Sequence, residues 1–158
     1  MEIERQLEIL INDGAKYGVA PTVIENAIAP ALKLFANQLK YLEYYVVQNL
    51  QGDWILTTIS NPKLRQEKKV IYAFASVQDA ARFQGKVDPD ILAVAIPVTH
   101  LLFRLISLQE VDSVIFADNS SNITSSNITS GIEIQRDRLS NLIKQQIRQL
   151  NQTPPNIA

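Results

Sequence analysis

The spacing of apolar residues changes character once along this 158-residue chain, near residue 43, and that switch constrains the fold more than any motif does. Before it, Ile3, Leu7, Leu10 and Ile11 recur on one helical face, with Glu2, Glu4, Arg5 and Glu8 elsewhere. Asn12-Asp13-Gly14 and Gly18 interrupt the pattern, and Pro21 restarts it. Val23, Ile24, Ala27, Ile28, Ala31, Leu32, Phe35 and Leu39 then hold helical spacing. Pro30 lies inside that run and removes a backbone donor, which predicts a kink or two helices meeting there.

After the switch, β-branched and aromatic residues dominate. Tyr44 to Leu50 and Trp54 to Ser60 flank the turn residues Gln51-Gly52-Asp53 and read as a hairpin. Lys69 to Ala75 is nearly all apolar, as expected of a central strand covered on both faces. Ser76, three residues before Asp79, is placed to cap a short helix, Val77 to Gln84, which Gly85 ends. Ile91 to Ile96 is a second wholly apolar run of strand length, and Pro97 opens a helix predicted to reach about Gln109. Ser113 to Ala117 and Gly131 to Ile134 are further short strands. Between them lies a polar loop, Asn119 to Ser130, expected to be mobile or an extended hairpin tip. Leu139, Leu142, Ile143, Ile147 and Leu150 mark a last helix, and 151–158 reads as a frayed tail. The order predicts an α+β fold, with a mixed β-sheet of five to six strands packed with helices. Residues 1–42 form a helical N-terminal extension packed on the domain at 43–150.

Composition removes several classes of function. Fifteen basic residues balance sixteen acidic ones, for a net charge of −1, so no global field attracts a polyanion, and nucleic acid is not an expected partner. The chain has no Cys and one His, which excludes disulfides, thiolate chemistry and multi-His metal sites. The acidic start is unlike a signal peptide, and no apolar run is long enough to span a bilayer. A soluble cytoplasmic protein with no cofactor and no membrane partner is expected.

The segment Val70-Ile71-Tyr72-Ala73-Phe74-Ala75-Ser76-Val77-Gln78-Asp79-Ala80-Ala81-Arg82-Phe83 precedes an apolar strand, a Leu-rich helix and the strand at Val114-Ile115-Phe116. This layout, over about residues 43–143, resembles the N-terminal domain of SseB-family proteins. Asp118-Asn119 stands where that family has an Asn-Pro pair. The resemblance implies a small α+β domain without an established catalytic site, often implicated in protein association, and it transfers no functional residue.

Reactive groups are sparse. His100 is the natural acid/base candidate, but it shares a helix face with Pro97, Arg104 and Ser107, away from Leu101 and Leu102, and no nucleophile motif accompanies it. The five glycines fit neither dinucleotide nor phosphate-loop spacing. Asp88 and Asp90 offer two carboxylates, and the loop from Asp118 lacks the glycine and glutamate of a calcium site. The sequons at Asn119, Asn122 and Asn127 read as chance in a Ser/Asn/Thr-rich loop. Two basic clusters, Lys63-Arg65-Lys68-Lys69 and Arg136-Arg138-Lys144-Arg148, oppose the acidic first helix and suggest that the chain ends meet, within one chain or between two. Tyr41, Tyr44, Tyr45 and Trp54 are residue types enriched at interfaces, and alternation sends Tyr44 and Tyr45 to opposite sheet faces.

The expected interaction surface is therefore Tyr41, Tyr44, Tyr45, Trp54, Lys68, Arg136 and Arg148. The leading expectation is a non-catalytic protein-binding or assembly module whose partner the sequence does not identify, with self-association into a homo-oligomer included. The alternative is a small-molecule sensor whose ligand lies between the sheet and the Pro21 to Leu39 helices. A hydrolase using His100 ranks third.

Overall fold

A computed structural model describes residues 2–61, 63, 65–118, 123–124, 127–128 and 131–152. Helix α1 (Ile3–Asn12) leads through a 3-10 turn, Gly14–Tyr17, to α2 (Pro21–Val23) and α3 (Ala29–Ala36). A π turn over Ile24–Ile28 joins α2 to α3. The helical backbone runs on through Pro30, with Ile28 and Ala29 in right-handed helical φ/ψ, and it is the widened π turn just before the proline, rather than a break between two helices, that accommodates the missing donor.

Strands β1 (Glu43–Asn49), β2 (Thr57–Asn61), β3 (Gln66–Phe74), β4 (Ile91–Pro97), β5 (Ser113–Ala117) and β8 (Ile132–Gln135) form one mixed sheet. Its order is β4-β1-β3-β5-β8, with β2 beside the first half of β3. β3 and β5 run parallel and the other pairs antiparallel, so the fold is α+β and β3 is central, as its apolar run predicts. Helices α4 (Val77–Gln84) and α5 (Val98–Ser107) flank β4 in the chain, and α6 (Arg136–Gln152) follows β8. The short strands β6 (Ile123–Thr124) and β7 (Asn127–Ile128) pair with each other inside the polar loop. The rest of that loop, including Asn119 and Asn122, and residues 153–158 lie outside the described residues.

Two boundaries differ from expectation, and one pairing does. α6 runs to Gln152, into the expected tail. α5 stops at Ser107, where the Ser107 hydroxyl donates to the Arg104 carbonyl (2.9 Å) and closes the last turn. The hairpin between Tyr44–Leu50 and Trp54–Ser60 forms only at its tip. Asn49 Oδ1 accepts from the N–H groups of Gln51 and Asp53 (2.9 Å each), Gly52 takes a positive φ of 87°, and Gln48 faces Trp54. Beyond Ile55 the chain leaves β1 and pairs with β3 instead, from Thr57 opposite Val70 to Asn61 opposite Gln66. β3 thus divides one edge between β2 and β1, because Ala73 and Phe74 already hold Val46 and Tyr45.

The inner sheet face carries Tyr44, Val46, Ile71, Ala73, Val114, Phe116 and Ile134, covered by Leu7, Leu10, Ile24, Leu32, Leu101, Leu102, Leu105 and Leu139 of the helices. The N-terminal helices therefore share one core with the sheet. The outer face carries Tyr45, Val47, Tyr72 and Phe74 against Ala80 and Phe83 of α4.

Tyr44 anchors the inner face. Its ring meets Phe116 edge to face (centroids 4.8 Å apart), its hydroxyl donates to Asp118 Oδ1 (2.6 Å), and it accepts the N–H of Tyr41 (3.2 Å). Burial, then the Asp118 carboxylate, raises the hydroxyl's pKa above its ordinary 10.0. A raised folded pKa gives stability that is complete below the unfolded value and is lost as pH rises beyond it. Tyr44→Phe is expected to cost about 1–2 kcal/mol at neutral pH, since Asp118 and the Tyr41 N–H lose a partner. It also flattens the fall in stability above pH 10, read by urea unfolding across pH.

Candidate docking edge and adjoining groove

β4 is the terminal strand of the sheet, and its residues Ile91 to Ile96 are all apolar. A turn in which Asp88 Oδ1 accepts the Asp90 N–H (2.9 Å) delivers the chain to it, and the strand pairs with β1 without a bulge from Glu43 opposite Pro97 to Asn49 opposite Ile91. None of the seven residues is buried, and Leu92 is 43% exposed, whereas β5, of similar composition, is mostly buried. The outer backbone edge of β4 has no strand beside it among the described residues. Edge strands are ordinarily blunted by charge, proline or bulges, or by being short. β4 has only Pro97, at its end. The opposite edge, β8, has four residues and carries Glu133, which bridges to Lys68 (2.6 Å) and accepts from Ser113. Burial pushes the Glu133 carboxyl up, but the bonds to Lys68 and Ser113 and the Lys68 charge outweigh it and hold it below the ordinary range.

Grooves border β4 on both faces. On the outer face, a hollow of about 330 Å³ lies between α4 and the strand, with Val47, Val77, Ala80, Ile91 and Ala93 among its walls. On the inner face, a groove of about 440 Å³ lies between β4 and α5, and Tyr17, Gln48, Trp54, His100, Phe103 and Arg104 help to line it. There Tyr17 and Phe103 meet edge to face (5.1 Å), and the Arg104 guanidinium stacks 4.2 Å from the Trp54 ring while donating to the Gly52 carbonyl (3.3 Å). Trp54 is 7% exposed, and its enclosed indole N–H has no acceptor among the described residues.

His100 lies on this groove with Nε2 3.2 Å from the Gln6 carbonyl. A carbonyl only accepts, so Nε2 carries a proton and donates. Among the described residues no carboxylate or hydroxyl bonds to it, so the arrangement offers no relay to a nucleophile. No group of three or more metal-ligating side chains occurs among the described residues. The space expected to hold a ligand, between the sheet and the Pro21 to Leu39 helices, is filled by Ile24, Ile28, Leu32 and Phe35.

The seven residues expected to form one interaction surface are dispersed. Tyr44 and Trp54 are buried on the inner face, and Tyr45 lies half-buried on the outer face. Tyr41 is 36% exposed, its ring edge-on to Tyr44 (5.8 Å), with Lys40 above it. Lys68 is ion-paired to Glu133. Arg136 donates through Nε to the Val111 carbonyl (3.0 Å), which fixes the start of α6. Arg148 is exposed on α6. The acidic residues of α1 are answered locally, Glu4 by Lys33 and Glu8 by Arg5. Sequence reasoning missed Tyr17, Phe103 and Arg104, whose meeting depends on how α5 sits against the 3-10 turn and Trp54. It also missed the open edge of β4.

No helix among the described residues is long and apolar enough to cross a membrane. The sequence matches no protein-family model, and no curated protein matches it.

Proposed function

We propose that the protein is a non-catalytic assembly module that joins a second copy of itself through β4. The observation that carries this reading is an all-apolar edge strand, seven residues long, with none of its residues buried. An unpaired row of N–H and C=O groups is a template for another strand, and main-chain bonds of this kind supply affinity in strand-addition complexes.

The choice of a second copy rests on the sequence of the strand itself. An antiparallel pair about a two-fold axis at Val94 sets Val94 opposite Val94, Leu92 opposite Ile96 and Ala93 opposite Ala95. Leu92, Val94 and Ile96 then meet on the inner face and Ala93 and Ala95 on the outer face, with Ile91 opposite Pro97 at each end, and no charge enters the seam. The two sheets become one continuous sheet. Cross-strand apolar pairs of this type contribute about 0.2–1 kcal/mol each.

Light scattering after size exclusion tests the reading. The wild-type protein is expected to have twice the mass of one chain at tens of micromolar, and Leu92→Lys to be monomeric there, with an unchanged circular dichroism spectrum. A lysine on an exposed edge position is a natural guard against pairing and leaves the single chain intact. A wild-type monomer at that concentration contradicts the proposal, as does a dimer indifferent to Leu92→Lys.

A further inference from the structure

The inner groove beside β4 has the chemistry of a ligand site, and its case is separate from the pairing of β4. Three aromatic side chains, Tyr17, Phe103 and Trp54, line it, and its volume of about 440 Å³ falls in the range that accepts a small organic molecule. Tyr17 is half exposed although it stands in edge contact with Phe103, so the aromatic lining opens to solvent rather than closing into the core.

The polar groups along it carry donors and, among the described residues, no negative charge. Arg104, His100, Gln48 and Ser107 line the groove and no carboxylate does. Among the described residues the Arg104 side chain forms no ion pair and meets only the Gly52 carbonyl and the Trp54 ring. A guanidinium has five N–H donors, so those contacts leave donors for an incoming acid. Its stacking on Trp54 fixes the plane of the fork, which suits two-pronged recognition of a carboxylate. The enclosed Trp54 N–H, without an acceptor among the described residues, adds to the surplus of donors at this wall. The two carboxylates near Arg104, Asp53 and Glu110, line a separate hollow that shares Arg104 and Trp54, and neither lines the groove.

We propose that this groove binds an aromatic monocarboxylate, its ring among Tyr17, Phe103 and Trp54 and its carboxylate on the Arg104 guanidinium. One guanidinium with no second permanent cation fits a single negative charge better than a phosphate dianion. The flat aromatic walls favour a ring over an alkyl chain, because edge-to-face and stacked geometries add to simple burial.

Trp54 is the only tryptophan in the chain, so nitrogen-15 labelling gives one indole N–H signal, reporting from the wall of the groove. Titration of the full chain with 2-naphthoate is expected to move that signal saturably. The neutral isostere 2-naphthalenemethanol, and 2-naphthoate against Arg104→Gln, are expected to bind at least tenfold more weakly, the loss of one charge-assisted fork. Arg104 is exposed, so its variant keeps the fold, and Tyr17→Ala, at another exposed position, is expected to weaken binding in parallel. An indole signal unmoved at millimolar 2-naphthoate overturns the proposal. Equal affinity for the acid and the alcohol, or for wild type and Arg104→Gln, overturns it too.

Discussion

Phe116→Ala is expected to lower the free energy of unfolding by about 3–5 kcal/mol, the cost of emptying a large aromatic site in a closed interior. Phe116 is fully buried on β5 and meets the Tyr44 ring edge to face. Truncation removes that contact and leaves a void which Tyr44, held at its hydroxyl by Asp118 and Tyr41, is not free to fill. Since domains of this size have about 5–15 kcal/mol in total, the variant sits close to unfolding at 25 °C. Urea titration followed by Trp54 fluorescence reads the loss. Val87→Ala, at a residue 98% exposed, is the matched control and is expected to stay within about 0.5 kcal/mol of wild type. A loss below 1 kcal/mol for Phe116→Ala contradicts the packing of the inner face described here.

Gln6→Ala is the second large effect, and it acts through hydrogen bonds rather than volume. Gln6 is 1% exposed although it lies on an amphipathic helix. Its Oε1 accepts from the Thr99 N–H (3.0 Å) and from the Thr99 hydroxyl (2.8 Å), and its Nε2 donates to the Leu42 carbonyl (2.8 Å). Helix α5 begins after Pro97, which has no side chain able to cap it, so Gln6 supplies from α1 the acceptor that a serine would ordinarily supply from the preceding residue. The same side chain fixes the entry into β1. Removing it takes the acceptor from two donors of the buried Thr99, its N–H and its hydroxyl, while the Leu42 carbonyl keeps the Val98 N–H (2.9 Å); at about 1–3 kcal/mol for each donor, a loss of about 3 kcal/mol is expected in the same urea titration. Gln6→Met keeps the volume and loses the bonds. It should fall nearly as far as Gln6→Ala if the bonds dominate, and stay near wild type if they do not.

How much of this was legible in the sequence depends on whether the information was local. The change of period near residue 43, the cap at Ser76 and the stop at Gly85 each depend on a few neighbouring residues, and the structure repeats them: Ser76 Oγ accepts the Asp79 N–H (3.1 Å), and Gly85 takes a positive φ of 76°. Pro30 announced a disturbance but not its form, because a kink, a break and a π turn all relieve the same missing donor. The exchange of partners by the chain after Ile55 was illegible, since β1 just before it and β3 just after it in the sequence both compete for it. β4 is the sharpest case. Ile91 to Ile96 reads like a strand covered on both faces, yet it lies at the sheet's edge, and nothing in a six-residue apolar run tells burial from an uncovered edge. Trp54 and Tyr44 drew attention as interface residue types, but both are buried, and the groove beside Trp54 owes its charge to Arg104, one of many basic residues in the sequence.

The central claim, that β4 is where a second copy attaches, is tested most directly by amide hydrogen exchange along Ile91 to Ile96 at several protein concentrations. Pairing predicts that the outward N–H groups of β4 become protected as concentration rises, while the short β8 edge shows no concentration dependence and Leu92→Lys abolishes the effect. Exchange rates in β4 that are the same at micromolar and near-millimolar protein would contradict it.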